Sequence, residues 1–171
     1  DIINRLLCNE IDIGFSLSED AYDHEKIAHS VLAHIPLCVA MPDTHCLANK
    51  ATVELSELEH EPFVMISVDN YGPGSRHIKN LCSLKGFEPN ISAFTTFVPS
   101  LLILVRSGIG ITIVAQTANR VAPEGVKLTP LSNVPPTKLV LLWKKTNTNP
   151  AIPEFIDTCF SLMEHDRDPA V

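Results

Sequence analysis

The stretch SLLILVRSGIGITIVA, residues 100–115, decides how the chain reads. Its first half, Ser100 to Ser107, carries Leu101, Leu102, Leu104 and Val105 at the spacing of one helical stripe. Gly108 and Gly110 break that stripe, because glycine accepts the left-handed backbone on which helices end. Ile111 to Ala115 is then a short β-branched run, which predicts a buried strand. Just upstream, Ile91 to Phe97 predicts another strand, so the segment is strand, helix and strand in succession.

The same alternation extends in both directions. Toward the N-terminus, Gly86 stops a helix predicted over Arg76 to Lys85, and Ser75, in the turn Tyr71-Gly72-Pro73-Gly74-Ser75, is placed to cap its start. Before that come a helix over Asp1 to Asn9 and a strand over Ile11 to Leu17. A β-rich stretch from Lys26 to Met41 follows, interrupted at Pro36, then a short polar helix at Ser56 to His60 and a strand at Phe63 to Ser67. Toward the C-terminus the pattern predicts a helix near Gln116 to Val121, strands over Val126 to Leu131 and Lys138 to Lys144, and a closing helix from Ile152 to Met163. Strands alternating with helices imply an α/β architecture around a doubly wound sheet.

With 171 residues and 45% hydrophobic content the chain can bury a real core, as one domain or two small lobes. Its apolar runs are roughly five to eight residues, against the ~20 that a spanning helix needs, so no membrane partner is expected. The net charge of -7 opposes a phosphate-tracking surface, so this segment is not expected to bind DNA itself. Five cysteines (Cys8, Cys38, Cys46, Cys82 and Cys159) form no CxxC pair and are odd in number, which argues for a reducing cytoplasm over a disulfide scaffold. The chain opens on Asp1, apparently in mid-pattern, and reads as a fragment of something longer.

Six local patterns, taken in order, resemble those of LysR-type transcriptional regulators. They are Ile11-Asp12-Ile13-Gly14-Phe15 and Pro42-Asp43-Thr44-His45-Cys46-Leu47-Ala48, the latter with Cys46 where the family usually has proline; then Leu58 to Val64, Gly86-Phe87-Glu88-Pro89, Leu104 to Ile111, and the strand ending Trp143-Lys144-Lys145. The resemblance implies the effector-binding domain of such a regulator. Its fold would be periplasmic-binding-protein-like (type II), two Rossmann-like lobes joined by two hinge strands. Lobe I would be residues 1–64 plus 133–171, N-terminally incomplete, and lobe II residues 65–132. A small-molecule effector, such as a small organic acid or other anion, would lie in the interlobe cleft. The resemblance also implies a homodimer or homotetramer, with Leu81 and Leu84 on the seam, and DNA bound only through an N-terminal winged helix-turn-helix absent from this chain. A free-standing solute-binding protein of the same fold is the alternative.

Ligands of open α/β sheets bind beyond the carboxyl ends of strands, where loops and helix N-termini present N–H groups. Three segments are therefore the expected ligand site: Met65, Ile66 and Ser67; Thr95, Thr96, Phe97 and Val98; and Val114 and Ala115, with Gln116 following. Ser67 reads equally as a turn cap, the threonines as strand filling, and Val114 as core.

Other motifs are set aside. His24, His29 and His34 recur every five residues, a spacing that turns about 140° on a helix and switches faces on a strand, so no metal site is expected. Gly108-Ile109-Gly110 has Ile113 where a dinucleotide fingerprint needs its third glycine, so no cofactor is expected. Gly72 to Arg76 reads as a capped turn rather than an anion nest, and Cys82 as a buried thiol rather than a redox switch. No Gly-x-Ser-x-Gly elbow exists, and Glu54, Glu57, Glu59 and Glu61 fall on a solvated helix, so no enzyme activity is expected.

Overall fold

The computed structural model describes residues 2–17, 24–67 and 73–165. In chain order the elements are α1 (Ile2–Leu7), β1 (Ile13–Ser16), β2 (Ile27–Ile35), β3 (Leu37–Pro42), β4 (Val53–Glu54), β5 (Pro62–Ile66), α2 (Pro73–Leu84), β6 (Asn90–Thr95), α3 (Val98–Arg106), β7 (Thr112–Ala115), β8 (Val126–Ser132), β9 (Thr137–Lys144) and α4 (Ala151–His165). Short 3-10 helices cover Leu55–Leu58 and Gln116–Val121, where short helices are predicted. The chain divides into two compact units, Asp1–His34 with Lys138–Val171, and Ile35–Thr137. The divide falls between His34 and Ile35, at the end of β2, so residues 35–64 and 133–137, expected in lobe I, lie in the second unit. The cause is pairing: β3 bonds to β7 and β8, and β5 to β6.

In the second unit, β4-β8-β3-β7 form one sheet and β5-β6 another. A parallel bridge from Phe63 to Ile111 links them. It consists of two short backbone bonds, Val64 N–H to Ile111 O at 2.8 Å and Ile111 N–H to Pro62 O at 2.7 Å. The result is a six-stranded run, β6-β5-β7-β3-β8-β4. Side chains of β5 alternate across it. Phe63 and Met65 enter one core with Leu81 and Cys82 of α2, while Val64 enters the other with Leu101 and Leu102 of α3. Helices therefore cover both faces, and β3, central and shielded on both sides, is buried from Leu37 to Met41.

The helix ends follow backbone chemistry. At α2, Gly86 takes φ +89°, its N–H bonds to Ser83 O, and the N–H of Phe87 reaches back to Cys82 O, closing a Schellman turn. The start of α2 differs from expectation. The helix begins at Pro73, so Ser75 lies inside its first turn and its hydroxyl donates to the carbonyl of Ile66, pinning α2 to the end of β5. Tyr71 and Gly72 lie outside the described residues.

The first unit is a three-stranded sheet, β1-β9-β2, with β1 and β9 antiparallel in the register Gly14 to Leu142. Leu6 of α1 packs against Ile27, Val140 and Leu142, and Phe155 of α4 meets Phe15 edge to face with ring centroids 6.3 Å apart. Lys144 closes α1, its Nζ donating to Leu7 O at 3.1 Å and to Asn9 Oδ1 at 3.0 Å. Among the described residues no helix is long and apolar enough to cross a membrane.

Candidate functional site

Strands β6, β5 and β7 run parallel, so their carboxyl ends lie on one edge of the second unit's sheet. The register pairs Ile66 with Thr95, and the N–H of Ser67 donates to Thr95 O at 2.8 Å, which holds the first two expected segments side by side. The third ends at the same edge, where Ala115 pairs with Leu37 and the N–H of Gln116 is taken by Pro36 O at 2.9 Å. All three predicted segments are thus brought together within one unit.

Their side chains do not play equal parts. Met65 is fully buried and Val114 nearly so, each inside a hydrophobic core, so neither side chain reaches the edge. Ile66 and Val98 are half-buried against the α3-side core. Ser67, Thr95 and Ala115 are half-buried, and Thr96 is exposed. Thr96 and Phe97 lie beyond the strand, since β6 ends at Thr95. Phe97 occupies the N-cap of α3 with extended backbone (φ -135°, ψ 146°) and is 68% exposed.

The start of α3 lacks a side-chain cap, and its second position, Pro99, has no N–H. The first bond back to the N-cap is Leu101 N–H to Phe97 O at 3.0 Å, so the N–H groups of Val98 and Ser100 precede the helical ladder. Such an end carries partial positive charge, and Thr96, the residue just before its N-cap, is exposed. Chemically, this edge offers hydroxyls, helix-end N–H groups and an exposed phenyl ring. Together they suit a small amphipathic anion.

Burial holds the Cys38 thiol above its ordinary value, and burial followed by the Glu88 carboxylate pushes Cys82 up to about 11. Glu57 is lowered, first by its hydrogen bond from Lys50 and then by the backbone N–H of Glu54. Among the described residues no three His, Cys, Asp or Glu side chains are placed to hold a metal ion. The second unit contains Cys38, Cys46 and Cys82, where the sequence boundaries had left it Cys82 alone.

The profile of the LysR substrate binding domain matches residues 1–163. The chain belongs to this LysR substrate-binding domain family. Its relatives include the HTH-type transcriptional regulator AlsR of Bacillus subtilis, 28% identical over 159 residues, which cover 89% of this chain and 50% of AlsR. The Hca operon transcriptional activator HcaR of Escherichia coli is 28% identical over 148 residues, 86% of this chain and 49% of HcaR. The chain thus spans about half the length of these relatives. Among solved structures, the BenM effector binding domain with its effector benzoate superposes with TM-score 0.82 at 21% identity, covering 99% of this chain and 77% of that one. Full-length CbnR complexed with its target DNA superposes with TM-score 0.82 at 16% identity, over 95% of this chain and 56% of CbnR. The LysR domain here therefore has the type II periplasmic-binding-protein-like fold.

Proposed function

We propose that this LysR domain senses a small-molecule effector, a small organic acid or other small anion, at the carboxyl edge of the second unit's sheet. The observation that carries the reading is the convergence of three strand ends at the edge where α3 starts without a side-chain cap, with Thr96 exposed just before its N-cap. Support comes from the BenM domain solved with benzoate and the CcmR regulatory domain solved with 2-PG, both of this fold. The whole protein would be a cytoplasmic transcriptional regulator. It would contact DNA through a winged helix-turn-helix outside this chain, in keeping with the charge of -7.

Self-association would use the apolar surface of α2 at Leu84, which is 82% exposed; Leu81, paired with it on sequence, is 6% exposed and belongs to the core. The test is calorimetry of the chain against benzoate and a panel of small aliphatic and amino carboxylates. Saturable binding of at least one member, competed by the others, is the expected result. Failure of every carboxylate to bind overturns the proposal.

A further inference from the structure

The formal charge is shared unequally between the two units. Residues 1–34 and 138–171 carry 12 Asp and Glu against 6 Lys and Arg, a net of -6, so residues 35–137 contribute only -1 of the chain's -7. The acidic first unit also exposes a joined apolar face. Phe15 of β1 and Phe155 of α4 are in ring contact, and with Leu17 and Leu162 they are 43% to 65% exposed. Leu162 lies seven residues beyond Phe155, on the same side of the helix. Ile152, which is buried, anchors α4 and leaves that side as a flank. Beside it β1 is an edge strand, bonded to β9 alone in the order β1-β9-β2, so its outer N–H and C=O groups face away from the sheet. Acids rim the face: α4 contains Glu154, Asp157 and Glu164 with no lysine or arginine, and Glu154, Asp157 and Asp12 are exposed.

We propose that this face of the first unit docks a basic amphipathic segment of the same polypeptide, one lying outside these 171 residues. Its apolar side chains cover Phe15, Leu17, Phe155 and Leu162, and its lysines and arginines meet Glu154, Asp157 and Asp12. Charge selects this occupant over the alternatives. A second copy of the chain would set -6 against -6 and bring each acidic rim against its own counterpart, which opposes pairing here. A basic segment gains from the same field, and it removes from water an apolar surface that joins four large side chains. The polypeptide itself is the source because the chain spans 50% of AlsR, 49% of HcaR and 77% of the BenM domain, so proteins of this family carry further chain to supply it. The inference concerns the first unit and is independent of the effector edge in the second.

Cys159 reports on the face, since it is half-buried on α4 four residues after Phe155 and three before Leu162, and exposed Cys46 of the second unit is the reference. The test labels the whole chain with N-ethylmaleimide, follows each cysteine by peptide mass mapping, and adds a synthetic amphipathic peptide of leucine and lysine or its leucine and glutamate counterpart. The lysine peptide is expected to slow Cys159 at least about tenfold relative to Cys46, and the glutamate peptide to leave it unchanged. Phe155→Ser with Leu162→Ser should weaken the lysine peptide's binding about tenfold or more, while Leu84→Ser, at the exposed apolar residue of the second unit, leaves it as it was. Glu154→Gln with Asp157→Asn keeps the apolar face and should weaken binding by a smaller factor, which gives the reading if the first pair fails to fold. In the full-length gene product Cys159 should be protected with no peptide added. Equal protection by both peptides, a dimer of the chain that Phe155→Ser abolishes, or a Cys159 that labels as fast in the full-length protein as in this chain would each overturn the proposal.

Discussion

The two edges of the second unit's sheet are built to opposite plans. At the amino edge the strands close on one another: a Cβ on Gly110 would stand 2.5 Å from Pro62 O, and the Ser92 hydroxyl lies 3.0 Å from Phe63 O and 2.9 Å from Ile109 O. At the carboxyl edge the same three strands end in hydroxyls and a helix without a side-chain cap. Among the described residues there, Thr96 and Phe97 are exposed. The lesson is that one sheet can use one edge for cohesion and keep the other available for a ligand, since a bonding group already paired within the protein has little left to offer.

The largest effect should come from breaking the closed edge. Gly110→Ala puts a methyl group against the backbone carbonyl of Pro62, and backbone cannot turn aside as a long side chain can. The bridge between β5 and β7 must open, at a cost of about 3 kcal/mol in urea denaturation. A loss under about 0.5 kcal/mol would show that the edge is looser than its short bonds imply. The open edge answers a different assay. Thr96→Val keeps the shape of an exposed residue, so stability should hold, while loss of its hydroxyl weakens binding of a carboxylate by ~1.5–3 kcal/mol, roughly ten- to hundredfold in calorimetry. An unchanged dissociation constant for whichever carboxylate binds would make Thr96 a bystander.

Much of this contrast is legible in the sequence, and the failures have physical causes. Gly86 and Gly108 read correctly as helix ends because only backbone conformation decides them, and their φ values are +89° and +74°. Strand positions read well, but the faces did not. Met65 and Val114 were expected at the ligand because they close their strands, yet a strand buried on both sides carries no alternation to show where a side chain points. Ser75 followed the rule for caps, and the rule lost to Pro73, which starts the helix three residues before the expected Arg76. The pairing of His45 with Glu61 joins residues whose local patterns are unrelated, so only the fold reveals it.

The closed side should also differ in its response to pH. Cys82 faces the core from the last turn of α2, with its thiol pushed up to about 11 by burial and then by Glu88. The folded-state value is raised, so the stabilisation it reports is complete below the ordinary thiol value near 9 and is lost as pH climbs toward about 11. Between those values the unfolded chain has released a proton that the folded chain still holds, and stability falls. Denaturation midpoints measured across this window should decline in the parent and decline less in Cys82→Ala. Parallel curves would show that Cys82 is not protected from water as its burial implies.

The smallest effect sharpens what Gly110 is for. Ser92→Ala removes one hydroxyl near two carbonyls, of which that of Ile109 lies where water can replace it, so the cost should be about 1 kcal/mol. The same hydroxyl would stand 3.0 Å from a Cβ at position 110, farther than the Pro62 carbonyl at 2.5 Å. Two accounts of the glycine then separate. If it is required by backbone approach, Ser92→Ala relieves nothing, and the costs of Ser92→Ala and Gly110→Ala add to within about 0.5 kcal/mol in the double variant. If it is required to accommodate the serine, the double variant is more stable than the sum by 1 kcal/mol or more, on the order of a typical coupling between touching residues. The distances favour additivity: the nearer obstacle is main chain, and a missing hydroxyl does not move it.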